Sequence, residues 1–129
     1  MGGPAFFSGT MYVAKNEDWK MAFVYQIDYT VSGDPENIQP QDITDYTFKF
    51  QIRKIEADNT AVVTATLGDG IEITNAAGGE FQLTLLRDKL RRLHAGDYSA
   101  DLLIVDPSGY ADRFFEAKCT VVEGTTRWT

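Results

Sequence analysis

Apolar and polar side chains alternate along most of this chain. The longest run is "WKMAFVYQIDYTV", where Trp19, Met21, Phe23, Tyr25, Ile27, Tyr29 and Val31 take every second position. A period of two sends alternate side chains to opposite faces of a strand, whereas a helix would scatter these residues around its axis. The run predicts one long strand with an aromatic face turned to a core. "YTFKFQIRK" repeats the pattern, with Tyr46, Phe48, Phe50 and Ile52 on one face and Thr47, Lys49, Gln51 and Arg53 on the other. Between them, residues 32–45 hold two prolines, a glycine and several acids, and read as a loop.

Shorter pieces follow. "EADN" turns the chain into "TAVVTATL", and "GDG" at 68–70 is another turn. Ile71 and Ile73 form a short strand, "NAAGG" turns again, and "EFQLTLL" alternates Phe81, Leu83 and Leu85 with polar neighbours. Leu86, Leu90 and Leu93 have helical spacing, so one short helix is expected inside 87–93, stopped by Gly96. The end of the chain reads as a hairpin. Tyr98, Ala100, Leu102 and Ile104 alternate on the way out, "DPSG" makes the turn, and Phe115, Ala117, Cys119 and Val121 alternate on the return. Seven to nine short strands with frequent turns predict an all-β antiparallel sandwich with one short helix; a small barrel shares the same pattern. Shared phase places Trp19, Phe23, Phe48, Phe50, Phe81, Leu83, Leu102 and Ile104 in the core.

A chain of 129 residues with 43% hydrophobic positions is long enough for one domain with a core of its own. The expected division is an N-terminal arm at 1–17 with an edge strand near Thr10–Lys15, a sandwich domain at 18–124 and a tail at 125–129. A net charge of −7 argues against free nucleic acid as a partner, because phosphate binding needs a surplus of Lys and Arg. No apolar run approaches the roughly 20 residues of a membrane helix, so no membrane partner is expected. "MGGPAFFSGT" lacks the basic start and long apolar centre of a signal peptide. The single cysteine excludes an intrachain disulfide.

Candidate chemistry is sparse. His94, the only histidine, ends the short helix, where it caps carbonyls or meets solvent; no nucleophile and acid are grouped with it. Cys119 shares the apolar phase of its strand and reads as a buried structural thiol. Asp106 and Asp112 flank the last turn, but "DPSGYAD" supplies two carboxylates where calcium takes six to eight oxygens. "GDG" and "AAGG" lack the following Lys-Ser/Thr of a phosphate loop, and "RDKLRR" reads as a solvated basic face. No catalytic residue, cofactor, metal or small-molecule substrate is expected. The aromatics outside the strand pattern are Phe6, Phe7 and Trp128, which either dock on their own domain or bury against another chain. They are the candidate protein-interaction residues.

Taken in order, "DWKMAFVYQI", "DITDYTFKFQIRK", "AVVTATLGDGIEI" and "AAGGEFQLTLLRDKLRRLHAGDYSADLLIVDPSGYADRFFEAKCTVVEG" resemble a family of small β-sandwich proteins encoded in phage and prophage tail modules. The N-terminal domain of certain baseplate upper proteins is similar. The resemblance covers roughly 18–124. Asp45 stands where the family often has Gly, and Ala117 stands at another common glycine. The resemblance implies an Ig-like sandwich and a non-catalytic component of a phage tail or baseplate. Such a component acts through protein–protein contacts, as a homo-oligomer or with other tail proteins. Its location would be the virion tail, or the bacterial cytoplasm when expressed from a prophage. The other function class is a carbohydrate-binding or cell-surface adhesion module, which would expose aromatics on a sheet face.

Overall fold

A computed structural model describes residues 7–55 and 61–125. The strands are β1 (Phe7–Ala14), β2 (Trp19–Val24), β3 (Gln26–Asp28), β4 (Ile38–Pro40), β5 (Thr47–Arg53), β6 (Val63–Leu67), β7 (Gly70–Asn75), β8 (Glu80–Leu85), β9 (Gly96–Val105) and β10 (Ala111–Val122). One short helix, α1 (Arg87–Leu90), lies between β8 and β9. Eight strands form one sheet in the order β1-β10-β9-β5-β6-β7-β8-β2, and β3 and β4 pair separately. The chain is all-β with one short helix.

The sheet is nearly closed. β1 and β2 are its two outermost strands, yet only residues 15–18 connect them. At about 3.6 Å per residue, Ala14 and Trp19 lie no more than about 18 Å apart even if the connection is fully extended. A turn bond from the Glu17 amide to the Ala14 carbonyl, 3.3 Å, shortens it further. The sheet therefore curls until its edges approach, although no ladder joins β1 to β2 among the described pairs. The aromatic core reports the same curl: Phe23 of β2 packs 5.3 Å from the Phe81 ring beside it, and 5.7 and 5.8 Å from Phe114 and Phe115 of β10. Leu90 of α1 and Leu93 after it are buried against the same core.

Alternation places the core as expected. Phe23, Phe48, Phe50, Phe81, Leu83, Leu102 and Ile104 are buried, and Trp19 packs against them half-buried. The segment read as an arm contains β1, which runs alongside β10 for eight residues and buries Met11 and Val13.

Four expectations are corrected. First, the sheet is mixed rather than wholly antiparallel: β1 runs parallel to β10, and β6 parallel to β7. Neither pair is a hairpin, so no tight turn dictates opposite directions. Secondly, "GDG" is the expected turn, closed by the Asp69 amide on the Thr66 carbonyl at 2.9 Å, but it does not reverse the chain. It moves the chain sideways by one strand while keeping its direction, pairing Thr66 with Gly70 and Leu67 with Ile71. Gly70 adopts φ +101°, and a Cβ there would come within 2.9 Å of the Ala65 methyl and 3.1 Å of the Thr84 carbonyl, so only glycine permits the step. Thirdly, the long first strand breaks at Tyr25. Its amide donates to Gly79 and its carbonyl accepts from Gln41, and the chain then leaves as β3. The loop at 32–45 supplies the partner strand β4. Fourthly, the register of β10 shifts between Arg113 and Phe115, a β-bulge that turns Phe114 as well as Phe115 inward.

Candidate interaction surface

The three side chains singled out for chemistry lie apart, on β10, after α1 and in the β9–β10 turn. Cys119 is fully buried on the inner side of β10, and burial pushes its thiol up to about 11. His94 is exposed, and its backbone carbonyl accepts a 2.8 Å bond from the Tyr98 hydroxyl. The Asp106 carboxylate accepts from the Ser108 hydroxyl at 2.6 Å and from the Ser108 and Tyr110 amides at 2.9 Å each. These bonds, the hydroxyl's foremost, hold its pKa below the usual carboxylate range and shape the β9–β10 turn. Among the described residues no three His, Cys, Asp or Glu side chains are grouped to hold a metal, no polar or charged residue is buried, and no helix is long and apolar enough to cross a membrane.

What the described surface offers is contact area. The β3–β4 hairpin stands apart from the main sheet's ladder. Its anchor is Ile27, which packs against the core. Beyond the anchor, Tyr29 and Val31 continue the phase of Ile27 into solvent, while Ile38 lies opposite Asp28 and so presents the other face. The hairpin continues past its ladder through a 2.8 Å bond from Tyr29 to Asn37, and the Asn37 amide donates to the Thr30 hydroxyl at 2.7 Å. It is a well-bonded element with apolar side chains in water.

A second apolar area lies on the outer face of β1 and β10, where Tyr12 is 70% exposed and Val122, paired with Ala14 two positions on, is exposed too. Further across that face, over β5, β9 and β10, an open trough of about 390 Å³ is lined by Gln51, Arg53, Ser99, Asp101, Arg113 and Glu116 among others. Its charges are bound locally: Arg113 pairs with Glu116 at 3.1 Å, and Arg53 donates to Gln51 at 2.8 Å. A more apolar cleft of about 460 Å³ follows the sideways step, lined in part by Leu67, Ile71, Ile73, Leu86 and Lys89. Lys89 crosses it to Asp69 at 3.0 Å and to the Thr64 carbonyl at 3.1 Å.

No protein-family model matches the chain, and no curated protein matches it.

Of the expected interaction residues, Phe6 and Trp128 lie outside the described residues. Phe7 opens β1 and pairs with Phe115 through its backbone, but its side chain lies outside the description. The exposed Tyr12 was legible in the sequence: it sits between Met11 and Val13, and a strand that buries both must turn the residue between them outward. The exposed hairpin was hidden, because Tyr29 and Val31 keep the phase of buried residues after the strand has left the sheet.

Proposed function

We propose that this protein is a non-catalytic assembly module of the phage or prophage tail or baseplate kind, acting through protein–protein contacts. The observation that carries the reading is the β3–β4 hairpin, a hydrogen-bonded element outside the main sheet with Tyr29, Val31 and Ile38 in solvent. A side chain of this size contributes about 1.5–3 kcal/mol when buried, so Tyr29 and Val31 on one face supply a contact at small conformational cost, with Ile38 available on the other. The resemblance to tail-module proteins supplies the biological setting, and with it a place in the virion tail or in the bacterial cytoplasm before assembly.

At the level of fold, we infer an Ig-like sandwich within the curled sheet. Three features support this. β2, β8 and β7 neighbour one another as strands B, E and D do in that architecture, and β5, β9 and β10 as strands C, F and G do, with β6 added beside β5. The Tyr98 bond to His94, at the start of β9, has the form of the tyrosine corner found at the start of strand F. β1 beside β10 lengthens that layer by one strand.

The test is composition of particles. Prophage induction in the source bacterium, gradient purification and mass spectrometry should find the chain in tail-bearing particles, and Tyr29→Asp with Val31→Asp should reduce its incorporation. Absence from particles combined with binding on a glycan array, lost on substituting Tyr12, Tyr29 or Tyr110, would instead support the adhesion reading.

A further inference from the structure

We propose that the slot beside β10 is a strand-exchange site, and that in a self-associated form its occupant is β1 from a second copy of this chain. The proposal rests on the assembly reading only for its biological use. Four observations carry it. β1 is an edge of the sheet, so its departure parts no two other strands. Its ladder is entirely with β10, from Phe7↔Phe115 to Ala14↔Val122, and those bonds are recovered unchanged if the same segment arrives from another chain. Its core contribution includes Met11 and Val13, which would fill the same places from a neighbour. Most tellingly, β1 and β2 are consecutive but share no ladder among the described pairs. In an ordinary hairpin, opening the turn breaks the ladder between its strands. Here opening the turn at 15–18 leaves every described ladder intact.

What changes on exchange is therefore local to the hinge. The bonds there include the Glu17–Ala14 turn bond at 3.3 Å, the Lys15 amide to the Val122 carbonyl at 2.9 Å, and the Lys15–Glu123 ion pair at 3.4 Å between partly exposed groups. At the β2 end, Asp18 accepts from the Arg87 amide at 2.8 Å and pairs with its guanidinium at 3.2 Å. Short hinges that join elements with self-sufficient pairing favour swapping between identical chains, because intra- and intermolecular pairings have nearly the same energy and concentration decides between them. The same slot is the surface on which a strand-adding partner gains main-chain hydrogen bonds, and the chain itself is the partner whose side chains are known to fit.

The experiment uses full chains carrying different affinity tags, one with Thr10→Cys and the other with Lys118→Cys. These positions are exposed register partners in the parallel ladder. Neighbouring strands lie about 4.8 Å apart, within the Cα separation of about 4.4–6.8 Å that a disulfide spans. The mixture is held at high concentration near its unfolding midpoint, returned to native conditions and oxidised. The expected product is a disulfide between position 10 of one tag and position 118 of the other, rising with holding concentration. Its absence overturns the proposal. Light scattering on the unsubstituted chain after the same hold gives a second reading: a dimer that persists on dilution supports exchange, and a monomer at every concentration overturns it. Failure here with the chain present in phage particles removes strand exchange alone, whereas absence from particles removes the assembly reading and leaves this measurement standing.

Discussion

The Tyr98 hydroxyl donates a 2.8 Å hydrogen bond to the His94 carbonyl four residues upstream. The tyrosine ring is buried at the start of β9, while His94 is exposed at the end of the turn that follows α1. The bond therefore ties the α1–β9 corner to the core. Lys54 lies 4.7 Å over the same ring and donates to the Asp97 carbonyl at 3.2 Å, which closes the corner from the β5 side. Tyr98→Phe keeps the ring and the cation contact and removes only the hydroxyl. The expected loss is about 0.5–1.5 kcal/mol, because the freed carbonyl is near solvent and can be hydrated. Chemical denaturation of the two proteins checks it, and an unchanged midpoint would mean the corner bond contributes nothing.

Asp45 is the one described non-glycine residue with positive φ, at +64°. It lies between Thr44 and Tyr46 at the entry to β5. Aspartate enters this left-handed region more readily than most residues, and its exposed side chain takes no part in the core. Substitution here reports on backbone strain with little packing change. Asp45→Val should destabilise by about 1–2 kcal/mol, and Asp45→Gly should be neutral or stabilising. Thermal unfolding of both variants is the check; equal effects of Val and Gly would contradict the assignment.

Sequence and structure agree most directly in interior strands whose register is unbroken. In β5 and β9 the period-two phase becomes burial directly, because each strand has one face on the core and its ladder on either edge. The disagreements arise where the partner, which periodicity does not encode, decides the outcome. Met21 has the inward phase of Phe23 yet is 43% exposed, because β2 is an outermost strand of the sheet. Phe114 has the outward phase yet is buried, because a bulge adds one residue to β10. β1 carries the short alternation Met11, Val13, too brief to reveal a parallel partner more than a hundred residues away. On the surface, Tyr12 could be read from its neighbours, whereas the β3–β4 hairpin could not. Its separation depends on Tyr25 bonding to Gly79 and Gln41, an arrangement fixed by two distant loops.

Tyr25 gives the fold a distinctive alkaline limit. Burial first, and the Asp112 carboxylate next, push its phenol up to about 12. In the unfolded chain the phenol ionises near 10. A raised folded pKa means the folded state holds the proton more tightly. The stability linked to that proton is complete below pH 10 and is lost as pH climbs from about 10 to about 12. Tyr25→Phe should remove this part of the pH dependence, so the stability gap between the two proteins should shift by at most about 2 kcal/mol across that window, less to the extent that solvent screens the phenol. Urea titrations at pH 9 and pH 11.5 measure it; a parallel response of both proteins would show that Tyr25 does not titrate abnormally.

Cys119 is fully buried on β10, between its register partners Met11 of β1 and Tyr98 of β9. Its thiol is pushed up to about 11 by burial, so at pH 8 both the thiolate fraction and the access that a disulfide reagent needs are low. The folded chain should leave a thiol reagent almost unconsumed, and the denatured chain should react with one equivalent. Between those limits the rate reports local opening. β1 is the edge strand whose Met11 neighbours the thiol, so its release should uncover Cys119 at a lower cost than global unfolding. Met11→Ala removes a buried side chain, and substitutions of that kind cost about 2–5 kcal/mol. It should raise the labelling rate by a factor of at least about 30, since each 1.4 kcal/mol is worth tenfold. If labelling requires the full unfolding free energy measured by circular dichroism, β1 does not open independently. If the folded parent instead labels at the rate of a free thiol, the placement of β1 over β10 is wrong.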